Sequence, residues 1–262
     1  MINSVHTSKR FTMLNGIVFL FLSFSTAFAL SNTEVAIKSD AVMNGFEDSV
    51  AKMTMTLINA KGQQKVRQMR IKVLEGKDAD KSLMEFDTPA DVKGTKFLSY
   101  EHIKRDDEQW LYLPALKRVK RIASKNKSGA FMGSEFSYED LSAFNVKKYK
   151  YEGEATEGEI DGEAVYIGSS VPISKYSGYT KLISYVSKES FLIRKIEYYD
   201  RKKKLLKTAY FKNYKMFGTV ARVGKITMEN IQNDKTTILL WSEERIKNGL
   251  KGKDFHKRHL KK

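Results

Sequence analysis

The chain contains no cysteine, which excludes disulfides, a thiol nucleophile and a lipid-modified N-terminal cysteine in one stroke. Histidine is nearly as scarce: His6, His102, His256 and His259 are the whole set. There is no Gly-x-Ser-x-Gly elbow, so a Ser-His-Asp triad would have to be built on His102 alone. His256 and His259 sit three apart in a strongly basic tail with no third ligand beside them, whereas zinc takes three or four. Gly129 and Gly133 frame a loop tip, but no Lys-Ser/Thr follows as a phosphate-cradling loop requires. Glu243 and Glu244 are adjacent and diverge in an extended chain, which makes them a poor acid and base pair. The expectation is a binding protein with no catalytic residues, no metal and no cofactor.

Long apolar runs are also missing, apart from one near the start. Lys9 and Arg10 precede the apolar stretch Leu14 to Phe24, and Ala27-Phe28-Ala29 places small residues at the spacing a signal peptidase reads. The run is short for a membrane span of about 20 residues, so residues 1–29 read as a cleaved signal peptide and 30–262 as a single exported domain. Export without disulfides points to a bacterial periplasm and a domain that relies on its core alone. The net charge is +16, and +14 once Lys9 and Arg10 are removed with the leader. Such a charge usually suggests nucleic acid, and export argues against it. Phospholipid headgroups, lipopolysaccharide or the acidic face of a partner remain, with a merely solvated basic surface as the plain alternative.

What the chain does have is alternation. Met53, Met55 and Leu57 alternate with Lys52, Thr54 and Thr56, and Met69, Ile71 and Val73 alternate with Gln68, Arg70 and Lys72. Each is the period of a half-buried strand. If the two pair as a hairpin with both apolar rows on one face, opposing residue numbers sum to an even value. The loop then has an odd length, three or five residues, with Gly62 in the left-handed position. Methionine makes that face adaptable, although ordinary core packing uses it as well. Further strands are expected at Ser82–Phe86, Lys96–Tyr100 and Gln109–Leu113, the last apolar on both sides and so covered on one by a helix. Short helices are expected at Glu34–Phe46 and at Ser137–Phe144, where Ser137 would cap and Glu139 and Asp140 fill the first turn. A run of strands follows: 146–152, 164–168, 180–187, 192–199, 205–211, 225–231 and 236–241. Asp161-Gly162, Asp200 to Lys203 and Asn233-Asp234 mark hairpin turns between them. No βαβ alternation occurs, so the fold class is a mainly β chain forming a strongly curved antiparallel sheet, a complete or partial barrel. The tail, residues 255–260, reads as basic and mobile at its end.

One stretch, Trp110 to Leu141, is unlike the rest. Lys117, Arg118, Lys120, Arg121, Lys125 and Lys127 lie between Leu116 and Ser128 with no acid among them. Leu116, Val119 and Ile122 recur every three residues, which suggests an irregular strand anchored by these three with its basic doublets outward. Phe131 and Met132 follow between Ser128-Gly129 and Gly133-Ser134, and two bulky apolar side chains on a loop tip either tuck into a cavity or enter something apolar.

The block QWLYLPALKRVKRIASKNKSGAFMGSEFSYEDL, the upstream TPADVKGTKFL and the strand MTMTLINAKG together resemble the outer-membrane lipoprotein-sorting protein family, which groups with LolA- and LolB-like periplasmic carriers. Ser177-Gly178-Tyr179, Glu197-Tyr198-Tyr199-Asp200 and Phe255-xx-Arg258-x-Leu260 match more loosely. The resemblance implies an incomplete, half-open antiparallel β-barrel of about eleven strands with short helices over its mouth. It also implies a concave face that holds acyl chains or another hydrophobic ligand, no catalysis, and association with inner-membrane exporters of the resistance-nodulation-division type.

On this reading Met53, Met55, Leu57, Met69 and Ile71, with Trp110 or Tyr112, line a cavity for a lipid or lipidated cargo. Phe131 and Met132 form a displaceable plug, and Lys117, Arg118, Lys120 and Arg121 meet headgroups or an acidic partner. The chain works as a soluble, unanchored monomer in the periplasm. The alternatives are an accessory or sensor module of an envelope transport complex with a filled interior, and an envelope hydrolase centred on His102.

Overall fold

A computed structural model describes Met1 and residues 29–77, 79–142 and 145–261; the expected signal peptide lies almost wholly outside these residues. Ser31 caps the helix α1 (Asn32–Met43) with a reciprocal bond to Glu34, the arrangement that satisfies two free N–H groups at a helix start. The first methionine-rich segment is β1 (Asp48–Ile58) and the second is β2 (Gln64–Leu74). They pair with Met53 opposite Met69, joined by a five-residue loop in which Gly62 has φ +77°. The parity and the loop length expected from alternation are both met.

The meander continues through β3 (Ala79–Thr88), β4 (Lys96–His102), β5 (Glu108–Leu113) and the edge strand β6 (Arg118–Ile122). The second half contains β7 (Tyr149–Lys150), β8 (Thr156–Ile160), β9 (Glu163–Pro172), β10 (Tyr179–Ser187), β11 (Ile193–Asp200) and β12 (Leu205–Lys212). It ends with the small hairpin β13 (Lys215–Phe217) and β14 (Val220–Arg222), then β15 (Lys225–Asn230) and β16 (Lys235–Ile246). Long strand β16 returns to pair with β1, so one antiparallel sheet runs β6-β5-β4-β3-β2-β1-β16-β15-β12-β11-β10-β9-β7, with β8 beside β9. It has fourteen strands rather than about eleven, and it curls without closing, so β6 and β7 remain as edges.

Curling gives the sheet a concave and a convex face, and strict alternation assigns residues to each. Ile71, Met84, Phe97, Leu111 and Lys120 are successive cross-strand partners on the concave side, while Leu83, Leu98, Trp110 and Arg121 are partners on the convex side. Two separate apolar clusters follow. The larger fills the concave side from both halves of the sheet, and the smaller joins Leu98 and Trp110 to Phe255 and Leu260 of the tail.

The tail is therefore docked, not mobile. Two 3-10 turns, Gly252–Phe255 and Lys257–Lys261, lay Phe255 and Leu260 fully buried on the convex face. The Tyr100 hydroxyl donates to the Phe255 carbonyl at 2.7 Å and the Lys96 ammonium to that of His259 at 3.2 Å. Burying a side chain of either size stabilises by roughly 1.5–3 kcal/mol, enough to hold a short segment that its charge alone would leave in solvent. This tail, not a helix, covers the second apolar side of β5.

The chain must travel from the β6 edge to the β7 edge, and its described residues 123–142 and 145–148 form a strap across the concave face. The helix expected at 137–144 does not form in its described part: Ser137 and Asp140 exchange capping bonds of 3.2 and 2.6 Å, but the chain continues as turns. The reason is that Glu139 and Asp140 face inward to partners on the sheet instead of outward to solvent. Residues 146–152 are likewise a 3-10 turn leading to the two residues of β7.

Candidate functional site

Between the strap and the sheet lies a cavity of about 570 Å³. Met53, Ile71, Val73 and Met84 line it from the first half of the sheet; Leu182, Ile193, Ile196, Tyr198, Ile226, Leu239 and Trp241 do so from the second. Ile122 closes it at the β6 edge, Phe136 and Leu141 from the strap, and Met43 and Phe46 from α1 and the segment after it. Such a volume is in the range of small-molecule sites, and the wall is mainly apolar with polar groups such as Gln109, Glu139 and Asp140 set into it.

The rim is formed by the β4–β5 loop, the end of the strap and the end of β9, and it is charged. Asp107 accepts from the Lys148 ammonium at 2.9 and 3.0 Å and from the His102 backbone N–H at 3.0 Å, tying the loop to the strap. The Ile173 N–H in turn donates to the Lys148 carbonyl at 3.0 Å. Burial raises the carboxyls of Asp40 and Asp80, both close to this rim, above the ordinary range. His102 pairs with Glu108 at 3.2 Å, and Glu108 also meets Arg105 at 3.2 Å and Arg121 at 3.6 Å. Burial would raise the Glu108 carboxyl, but hydrogen bonds from His102 and Arg105 hold it below its usual value. His102 thus belongs to an ion cluster on the rim.

The strap's own fastening is a second polar group, buried against the sheet. Lys207 of β12 and Asp140 form an ion pair with side chains only 4% and 3% exposed. Asp140 also accepts from the Tyr179 hydroxyl at 2.6 Å, and Lys207 donates to the Glu135 carbonyl at 2.9 Å. Neighbouring Glu139 accepts from the Ser177 hydroxyl and from the Gly178 N–H at 2.9 Å. Burial nevertheless raises its carboxyl above the usual range, with Lys127 pulling the other way. A buried charge pair satisfied on all sides holds a segment in one position, because breaking it strands a charge.

The structure distributes the expected cavity residues unequally. Met53 and Ile71 line the cavity; Met55, Leu57 and Met69 belong to the same concave core but lie outside the cavity wall. Trp110 and Tyr112 are corrected outright. They point to the convex face, where Trp110 packs under the tail and its ring carries the Lys257 ammonium at 3.9 Å. Their neighbours Gln109 and Leu111 are the inward residues of that strand, Gln109 on the cavity wall.

Phe131 tucks into the core, 0% exposed, enclosed by Phe97 at 5.1 Å, Tyr138 at 5.6 Å and Phe86 at 6.0 Å. Met132 is half-buried with φ +49°, and its carbonyl accepts from Arg67 at 2.7 Å. Lys117, Arg118, Lys120 and Arg121 are exposed, as expected. Of their three apolar anchors only Ile122 is buried; Val119 rests half-buried on the convex cluster, and Leu116 is 61% exposed on a turn. The second half of the cavity went unread, although Ile226-x-Met228 and Leu239-x-Trp241 carry the same alternation as β1. Asp140 and Lys207 had no signal, being 67 residues apart and unremarkable in their own segments.

Among the described residues no helix is long and apolar enough to cross a membrane, and no group of three or more His, Asp or Glu is placed to hold a metal ion. No curated protein matches the chain. A family model described only as an uncharacterized protein matches residues 78–262. Among solved structures, the chain is similar to a domain from Vibrio parahaemolyticus described as an outer membrane lipoprotein-sorting protein, at 45% identity and a TM-score of 0.84, over 88% of this chain and 98% of that one. It is similar to a DUF1329 family protein from Desulfovibrio piger at 30% identity and a TM-score of 0.82, over 87% and 97% of the two chains. A LolA superfamily protein from Nitrosomonas europaea shares the fold at 19% identity, with a TM-score of 0.72 over 88% of this chain and 100% of that one. With 45% identity to the Vibrio domain over 88% of its length, the chain belongs to the outer membrane lipoprotein-sorting protein family and has a LolA-like fold.

Proposed function

We propose that the protein is a periplasmic carrier for a lipid or for the acyl chains of a lipidated protein, working with an inner-membrane exporter. The observation that carries this reading is the hollow itself. A sheet with this many inward apolar residues would normally be filled to crystal-like density, yet about 570 Å³ stays open between strap and sheet. An accessory or sensor module without cargo would have no use for it. Met53 and Ile71 then serve as part of the floor, with the wider concave methionine set accommodating varied apolar shapes. Phe131 and Met132 are the plug that a long chain displaces, and the basic residues of β6 meet anionic groups outside. The family's lipoprotein-sorting name and the leader-like first 29 residues support an envelope location.

Native mass spectrometry of protein taken from the periplasm is the direct test. Bound lipid is the expected result. A uniformly empty protein that also fails to take up a fluorescent fatty acid sinks the proposal.

A further inference from the structure

One strongly positive surface is supplied jointly by two segments far apart in sequence. Strand β6 and the turn before it bring Lys117, Arg118, Lys120 and Arg121, all exposed. The docked tail brings Lys251, Lys253, Lys257 and Arg258, also exposed. More than a hundred residues separate the two in sequence. Trp110 brings them together: Arg121 is its cross-strand partner, and Lys257 sits over its ring at 3.9 Å. The acids nearby are already engaged. Glu108 is shared among His102, Arg105 and Arg121, and Asp254 accepts from the Lys251 N–H at 2.8 Å.

We infer that this two-segment surface, which takes in Arg118 and Lys120 on the concave side of the free β6 edge and Arg121 and the tail on the convex side, docks the protein on an anionic phospholipid bilayer. Three observations favour a bilayer over the acidic face of a protein. The cations are long side chains spread over an edge and a face, which suits a diffuse layer of headgroups better than fixed bidentate partners. Leu116, 61% exposed, stands on the turn beside Lys117 and Arg118, where an apolar side chain can enter the headgroup region. The surface also runs into the cavity rim, because the Glu108 carboxylate holds Arg121 of the basic surface and His102 and Arg105 of the rim. Docking there sets the cavity opening next to the headgroups. Docking stands on charge alone; only the use of that orientation, for lipid entry or exit, rests on the carrier reading.

Co-sedimentation with phosphatidylcholine vesicles, with and without phosphatidylglycerol, tests this at low and at physiological salt. Each cation near an anionic surface contributes about 1 kcal/mol, or roughly fivefold in affinity. Neutralising Arg118 and Lys120 to Gln, or Lys253 and Arg258 to Gln, should each weaken binding to the anionic vesicles by at least about tenfold. Neutralising Lys61, Lys65 and Lys235, exposed in one turn and at two strand ends elsewhere, should leave it near wild type. An unaffected tail variant overturns the inference, as does a control variant that loses as much. Binding to polyglutamate without binding to anionic vesicles overturns it in favour of an acidic protein. Fatty-acid uptake from free solution by the tail variant, in the absence of vesicles, reports on the carrier reading separately.

Discussion

The two faces of β1–β6 have nearly the same raw material and opposite fates. Each carries a row of large apolar side chains one residue out of step with the other, Met84-Phe97-Leu111 inside and Leu83-Leu98-Trp110 outside. Each is crossed by a segment from elsewhere in the chain, the strap within and the tail without. The tail lies flat and fills its face through Phe255 and Leu260. The strap is anchored in the core by Phe131 and Phe136 and fastened by Asp140 to Lys207 and by Lys148 to Asp107, and a hollow remains beneath it. Apolar anchors close a gap because burial scales with the area they cover. Polar fastenings are directional and bind at points, so a segment held by them can stand off the sheet. Within the strap, then, the apolar anchors close the core while the polar fastenings border the hollow.

That contrast can be broken most severely at the strap. Asp140→Ala leaves Lys207 buried without its counter-ion and should cost about 3–5 kcal/mol, measured by urea unfolding. If the strap also shapes the hollow, the variant's fatty-acid uptake falls with it; a loss near zero would mean that the pair holds nothing.

The convex face offers the matching experiment. Phe255→Ala should cost about 3 kcal/mol and shift Trp110 fluorescence to the red as the tail lifts, with cavity occupancy intact. An equal loss of cargo would show the two faces coupled and undo the comparison.

The smallest effect sharpens it. The Glu139 carboxyl is raised by burial, so the folded state keeps its proton to higher pH than the unfolded chain does. Between the ordinary and the raised value the native state binds more protons. Stability therefore falls as pH rises through that window, and the deficit is fully present above it. Glu139→Gln should flatten that slope and gain stability at neutral pH in thermal unfolding followed across pH. A variant with the wild-type slope would show that Glu139 does not set it.

Much of the fold was legible because strand alternation and hairpin parity are local properties. The parity of the first hairpin and the left-handed Gly62 follow from spacing alone, as do most strands of the second half. Ser137 was misread for an equally local reason. Its capping signal is real, with both bonds present, but inward partners for Glu139 and Asp140 stop the helix from propagating. Trp110 was placed on the wrong face because alternation specifies that neighbours differ in side, not which side is concave.

By itself the sequence determined the antiparallel β class, the first hairpin and its pairing parity, and the absence of disulfides, since each depends on residue identity at short range. Only the tertiary structure decided which apolar row faces the hollow, that the basic tail is a docked element, and that Asp140 meets Lys207. Those outcomes depend on how a fourteen-stranded sheet curls and on where two long connections cross it. Sheet curvature and burial are sums over contacts distant in sequence, and no local pattern encodes them.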